Sequence, residues 1–182
     1  MTPAIDVLEL EGYKCFEQLR VPLAPLTLFT GFNGAGKSTA LQPLLLLAQA
    51  ARLRMWGSSG LDGELPLNGD IVRLGSAGDV IRAGQSGGTT RFTIGAGSEI
   101  LTLDVSARAG ERVLQVRGPA GAATSGLVGR LDRLVHLSAV RSGQSDAFPI
   151  PDRSAAQMAD VGIDGRFAGH WYHELADTEV SP

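Results

Sequence analysis

The chain has 182 residues, of which 43% are hydrophobic and 19% charged, with a formal net charge of −3. That length suits one domain of ordinary size, or one domain and part of another, and is enough to bury a core. The charge balance excludes a strongly basic, nucleic-acid-coating protein but leaves room for a local basic groove, and a lone cysteine, Cys15, excludes an internal disulfide.

Cys15 reads as a small buried hydrophobe and fits a reducing compartment. The N-terminus, Met1-Thr2-Pro3-Ala4-Ile5-Asp6, carries no basic segment ahead of an apolar stretch and is no secretory signal. The Leu44–Leu47 run is far shorter than the ~20 apolar residues of a spanning helix. A soluble, cytoplasmic protein with no membrane partner is expected.

In chain order, Ile5, Val7, Leu8 and Leu10 alternate with Asp6 and Glu9 as a first strand. Gly12-Tyr13-Lys14 reads as a turn, and Leu19-Arg20-Val21 as a second strand ending at Pro22. Leu26-Thr27-Leu28-Phe29-Thr30 is a short apolar and β-branched run, predicted to be a buried strand that starts after Pro25.

Gly31-Phe32-Asn33-Gly34-Ala35-Gly36-Lys37-Ser38-Thr39 follows, and fits the pattern Gly-x-x-x-x-Gly-Lys-Ser/Thr at every fixed position. Polyphosphate carries too much charge for one side chain to hold. Gly31, Gly34 and Gly36 let the backbone arch tightly and approach phosphates closely, while Asn33 and Ala35 contribute main chain to the same arch. Successive N–H groups then point inward as an anion nest, joined by the unpaired amides and positive end of the following helix. Lys37 is predicted to reach the β- and γ-phosphates, and the Ser38 hydroxyl to ligate Mg²⁺ beside Thr39. Lys14 is the only other lysine among 16 basic residues, so lysine stands where the loop demands it.

The helix is predicted from the loop to about Arg54, through Leu44–Ala51, with Pro43 bending it and Gly57-Ser58-Ser59-Gly60 as its stop. From Gly63 to Arg117 short apolar segments alternate with glycine-rich turns: Asp70–Leu74, Asp79–Arg82, Thr89–Ile94, Ile100–Val105 and Arg112–Val116. Strands so close together leave no room for crossover helices and must pair antiparallel as a meander. Gly118–Ser125 reads as a loop, Leu127–Arg133 as a short helix, Leu134–Ser138 as an apolar return strand, and Phe167–Leu175 as a final helix.

The loop alone does not choose among nucleotide enzymes. No Asn/Thr-Lys-x-Asp element of guanine readers exists, since Lys14 is followed by Cys15 and Lys37 by Ser38. A small-molecule kinase stays open, with Arg130, Arg133 and Arg141 as phosphate clamps.

Phe32–Thr39 resembles the ABC-type ATPase heads, among them RecF-like and SMC-like chromosome and DNA-repair ATPases and the OLD-family and related AAA-type ATPases of bacterial defence systems. Leu8–Phe16 looks like their first strand, with Gly12-Tyr13 where Asn-Phe is usual. Leu67-Asn68-Gly69, Leu74-Gly75 and Asp79 look like the β subdomain of a bacterial AAA subgroup, and Leu137–Arg141 and Val161–Gly165 like segments that follow it. The resemblance implies an α/β fold: a P-loop NTPase lobe, ABC-ATPase-like, with an antiparallel β-meander subdomain. It implies one incomplete head over 1–182, divided into 1–60 (strands, loop and helix), 61–118 (β subdomain) and 119–182 (return strand and C-terminal segment). The cofactors implied are ATP and Mg²⁺. The partner implied is a missing C-terminal ATPase half or a second subunit, as a homo- or hetero-dimer, with DNA a family expectation only.

Two family elements are lacking: an apolar strand ending in Asp-Glu, and a Leu-Ser-x-Gly signature. Ile100–Asp104 ends in an acid but reads as an ordinary strand, and Leu137–Gln144 echoes the signature at the wrong spacing. An N-terminal lobe whose hydrolysis depends on another segment is therefore expected, with a non-hydrolysing, nucleotide-dependent interaction module as the alternative. His170, His173, Glu174 and Asp177 read as solvated helix residues rather than metal ligands, since no third ligand is placed by spacing. His136 reads as structural, and Trp56, Trp171 and Tyr172 as either packing or interface aromatics.

Overall fold

The computed structural model describes residues 4–55, 63–84, 88–107, 110–119, 126–140, 147, 149–152 and 160–178. Six strands are present among them: β1 (Val7–Tyr13), β2 (Phe16–Pro22), β3 (Gly63–Pro66), β4 (Thr89–Ala96), β5 (Glu99–Ser106) and β6 (Val113–Arg117). The helices are α1 (Lys37–Arg52), α2 (Gly126–Asp132) and α3 (Ala168–Glu174), with one turn of 3-10 helix at Ala77–Asp79.

All six strands belong to a single sheet in the order β2-β1-β4-β5-β6-β3, and every pairing is antiparallel. This overturns the expected α/β lobe. The fold is mostly β, and no parallel strand pair exists among the described residues. The expected meander is real over β4, β5 and β6, but it is not a separate subdomain. The β1–β2 hairpin pairs directly with β4, with Leu8 opposite Ile94 and Leu10 opposite Phe92. Asp70–Leu74 and Asp79–Arg82 are not strands; they make only the isolated bridges Asn68–Arg73 and Tyr13–Ile81 with their neighbourhoods.

Alternation explains which face is inside. Leu8 and Leu10 of β1, Phe92 and Ile94 of β4, Leu101, Leu103 and Val105 of β5, and Leu114 and Val116 of β6 are all buried. Registers align them: Phe92 faces Leu103, Ile94 faces Leu101, Val105 faces Val116, and Leu65 of β3 faces Leu114. The opposite face carries charge, with Arg91 bonded to Asp104 at 2.7 Å and Glu11 at 3.3 Å, and Arg20 to Glu9 at 2.8 Å. Such one-sided burial is what antiparallel sheets tolerate and parallel ones do not. The β4–β5 turn is two residues, Gly97-Ser98, and its first position requires the positive φ of 63° that Gly97 supplies.

Helix α1 covers the inner face. Leu44, Leu46, Leu47, Ala48, Ala50 and Ala51 are buried, together with Leu127 and Leu131 of α2 beside it. Arg52 at the end of α1 donates from Nη2 to the Leu134 carbonyl at 2.7 Å and from Nε to that of Asp132 at 3.3 Å, satisfying carbonyls freed at the end of α2. The helix runs through Pro43 without ending, and stops at Arg52 rather than Arg54.

The chain divides into two compact units, Met1–Leu134 and Val135–Pro182. In the second, the indole N–H of Trp171 donates to the Asp160 carbonyl at 2.8 Å, and Ser138 N–H to that of Ile163 at 2.6 Å. The α3 helix has no buried residue, and Leu134–Ser138 is not a strand. No described helix is long and apolar enough to cross a membrane.

Among the described residues two polar side chains are buried, Thr90 and Gln49, and Gln49 ties the helix to the chain around it. Gln49, 3% exposed, accepts from the amides of Ile71 and Val72 at 3.2 and 3.1 Å and donates to the Pro66 carbonyl at 2.9 Å. Gly69 permits it: a methyl group there would lie 2.5 Å from the carboxamide. Replacing Gln49 with Ala leaves buried donors and an acceptor unsatisfied, and is expected to destabilise the fold by about 2–4 kcal/mol in chemical denaturation.

Candidate phosphate-binding site

The predicted loop residues arrive together at the start of α1. Gly31, Asn33, Gly34 and Ala35 are exposed, Gly36 is the residue before the helix, and Lys37, Ser38 and Thr39 form its first turn. Gly34 and Gly36 take φ of 81° and 86°, a left-handed conformation that side-chain-bearing residues rarely adopt. The first helical bond runs from Ala40 N–H to the Gly36 carbonyl at 2.8 Å. The amides of Lys37, Ser38 and Thr39 therefore remain without acceptors among the described residues. No acidic residue sits in this first turn and no side chain caps it. Neither a first-turn acid nor a capping side chain offsets the positive end of the helix.

Lys37 closes the loop. Its ammonium donates to the carbonyls of Gly31 and Phe32, both at 2.7 Å. Two of its three protons are used in this way, and the third is available to a ligand. Ser38 is exposed, and its hydroxyl makes no hydrogen bond among the described residues. It is thus a hard oxygen at the helix start, the donor type that Mg²⁺ accepts.

The expected strand ahead of the loop does not form. Residues 26–30 make no main-chain hydrogen bond among the described residues. Leu26 and Leu28 are 88% and 82% exposed, and Phe32 is 91% exposed. The run has the composition of a buried strand but no neighbouring strand among the described residues to bury it. The loop is held instead by helix α1 behind it and by the β1–β2 hairpin.

That hairpin is an unexpected wall of the site. A methyl group on Gly36 would lie 2.8 Å from Phe16 Cζ and 3.3 Å from Cys15 Sγ, so the hairpin end touches the loop's last glycine. Cys15, expected to be buried, is exposed there. Nothing local in the sequence marks this contact, because it joins residues about twenty positions apart. Next to it Lys14 adopts a positive φ of 48° and is half-buried. Burial pulls its ammonium below the usual lysine range, against the opposing charges of Asp79 and Cys15. Asp79 is held below the usual carboxylate range, chiefly by the Ser76 amide and then the Ser76 hydroxyl, which donate to Oδ2 at 2.9 and 2.8 Å.

The weaker candidates disperse. Asp104 is exposed and paired with Arg91, as an ordinary strand acid. Arg130 is engaged by Glu99 at 3.1 Å. No group of three metal-ligating side chains exists among the described residues, His170, His173, Glu174 and Asp177 included. His136 is half-buried with Nδ1 unpartnered among the described residues, and Tyr172 is exposed. Trp56, Arg141 and Gln144 lie outside the described residues. Compared with known proteins, the chain matches no family model and no curated sequence.

Two outcomes follow from this geometry. Leu26→Ser combined with Leu28→Ser is expected to change stability by less than about 0.5 kcal/mol per site in urea unfolding, because both side chains are already in water. Asp79, with a depressed folded-state pKa, contributes stability above its unfolded value near ~4 that is lost as pH falls through the folded value. The stability gap between the native chain and Asp79→Asn is therefore expected to be present at neutral pH and to close in acid.

Proposed function

We propose that this chain binds ATP with Mg²⁺ at Gly31–Thr39. The observation that carries the proposal is the closed loop itself: Lys37 bridges the Gly31 and Phe32 carbonyls beside three unpaired helix amides. A site lined by free N–H groups and one ammonium, with no carboxylate in the helix's first turn, favours a polyanion over a neutral or cationic ligand.

In this reading the free amides of Lys37, Ser38 and Thr39 hold the β-phosphate, and the third Lys37 proton reaches toward the γ-phosphate. Ser38 Oγ would hold Mg²⁺, which would supply charge neutralisation to a bound polyphosphate. The protein's contribution is positioning and charge stabilisation, with no covalent step.

Among the described residues no carboxylate is bonded to the loop or sits in the first turn of α1. We therefore assign the chain to ATPase machinery of the ABC/AAA type in which a partner polypeptide supplies the acidic group. The loop stands outside the antiparallel sheet, so the proposal rests on the loop and not on the fold. A nucleotide-dependent interaction module without hydrolysis is the second reading, favoured by the exposure of Leu26, Leu28 and Phe32 beside the loop. The single free thiol is compatible with a reducing cytoplasm.

Calorimetric titration with Mg·ATP tests the assignment. Binding is expected for the native chain and none for Lys37→Ala; about micromolar affinity in that variant removes the assignment. Turnover by the isolated chain is expected to be feeble, and brisk Lys37-dependent hydrolysis would show that the water-activating group is already within it.

A further inference from the structure

Gly36 is half-buried while Gly31 to Ala35 are exposed, so Gly36 is where the glycine arch meets the hairpin. What it rests against is the Phe16 ring, the nearest group to the position a Cβ would occupy. The Gly36 carbonyl in turn accepts the first helical bond, from Ala40. Its orientation thereby sets where the free amides of Lys37, Ser38 and Thr39 point.

The hairpin end that carries Phe16 is itself fixed from two sides. Lys14 N–H donates to the Val80 carbonyl at 2.9 Å, Arg82 N–H to that of Gly12 at 3.0 Å, and Arg82 Nη1 to that of Cys15 at 2.9 Å. On the other side Tyr13, buried against Phe92, donates its hydroxyl to Gln42 Oε1 of α1 at 3.1 Å. The wall therefore cannot retreat from Gly36 without breaking these bonds.

We propose that Phe16 is a positioning residue for the phosphate loop: its ring, held in place by Arg82 through the Cys15 carbonyl, backs Gly36 and orders the amides that receive phosphate. This rests on the reading of the loop as a nucleotide site. It adds that loop order, and with it phosphate affinity, is set by a hairpin distant in sequence. Because the effect acts on the phosphate cradle, it is indifferent to the base.

The test uses the full chain with Phe16→Ala, Phe16→Leu and the native residue. ¹⁵N relaxation is recorded without ligand, and affinities for Mg·ATP and Mg·tripolyphosphate are measured well below the unfolding temperature. Order parameters at Gly36, Lys37 and Ser38 are expected near ~0.85 in the native chain and toward ~0.6 in Phe16→Ala, with Phe16→Leu restoring most of the difference. Affinity for both ligands is expected to fall by the same factor, between about ten- and a hundredfold, in Phe16→Ala. Unchanged loop order in a folded Phe16→Ala overturns the proposal, as does a loss confined to ATP. If Phe16→Ala does not fold, Arg82→Gln, which releases Cys15, is measured in the same way, and the same two results overturn the proposal. The relaxation measurement needs no nucleotide, so failure of ATP binding in the native chain would overturn the nucleotide reading and leave the loop-order result standing.

Discussion

Helix α1 answers to two demands at once, and the rest of the structure depends on both. Its body must cover the inner face of a six-stranded sheet, and its first turn must leave amides open at the end of a glycine loop. The body meets the first demand with leucine and alanine, which bury apolar area and favour helix. The start meets the second because Gly36 supplies a left-handed entry and no side chain caps the turn. Leu44 to Ala51 are immersed in the core, so the helix cannot slide, and the loop inherits its position from that immersion.

Polar contacts refine this placement. Gln49 ties α1 to the Pro66–Val72 segment, Tyr13 ties it to β1 through Gln42, and Arg52 ties it to the end of α2. Each joins a buried or half-buried group to main chain or side chain far away in sequence. Buried bonds of this type specify one arrangement because leaving them unmade is costly. The loop is accordingly built on the most constrained helix of the first unit.

The other approach to the loop is held only locally, by the Thr27 hydroxyl, which accepts from the Ala24 amide and donates to the Ala24 carbonyl, among the described residues. Residues 26–30 arrive without main-chain partners among the described residues, and Leu26 and Leu28 stand in water. Exposed apolar side chains beside unpaired backbone are a combination that folded chains ordinarily cover. The site is thus firm on the side of α1 and the hairpin, and open on the side from which the chain enters.

The sequence by itself determined the glycine loop, the helix behind it and the apolar alternation of β1, β4 and β5. These depend on near neighbours: Gly31, Gly34 and Gly36 around a positive-φ turn, the Leu44–Ala51 run, and the alternation of Leu8 and Leu10, Phe92 and Ile94, Leu101 and Leu103. It also called for antiparallel pairing across Gly63–Arg117, which holds for Thr89–Arg117 but not for Asp70–Leu74 and Asp79–Arg82. Only the tertiary structure decided that β1 would pair with β4, that Leu26–Thr30 would find no strand beside it among the described residues, and that Phe16 would rest on Gly36. Composition reports whether a segment suits a strand or a core, and Leu26–Thr30 suits both. Whether a partner strand is present depends on contacts between residues far apart in the chain, and short-range patterns carry no record of those.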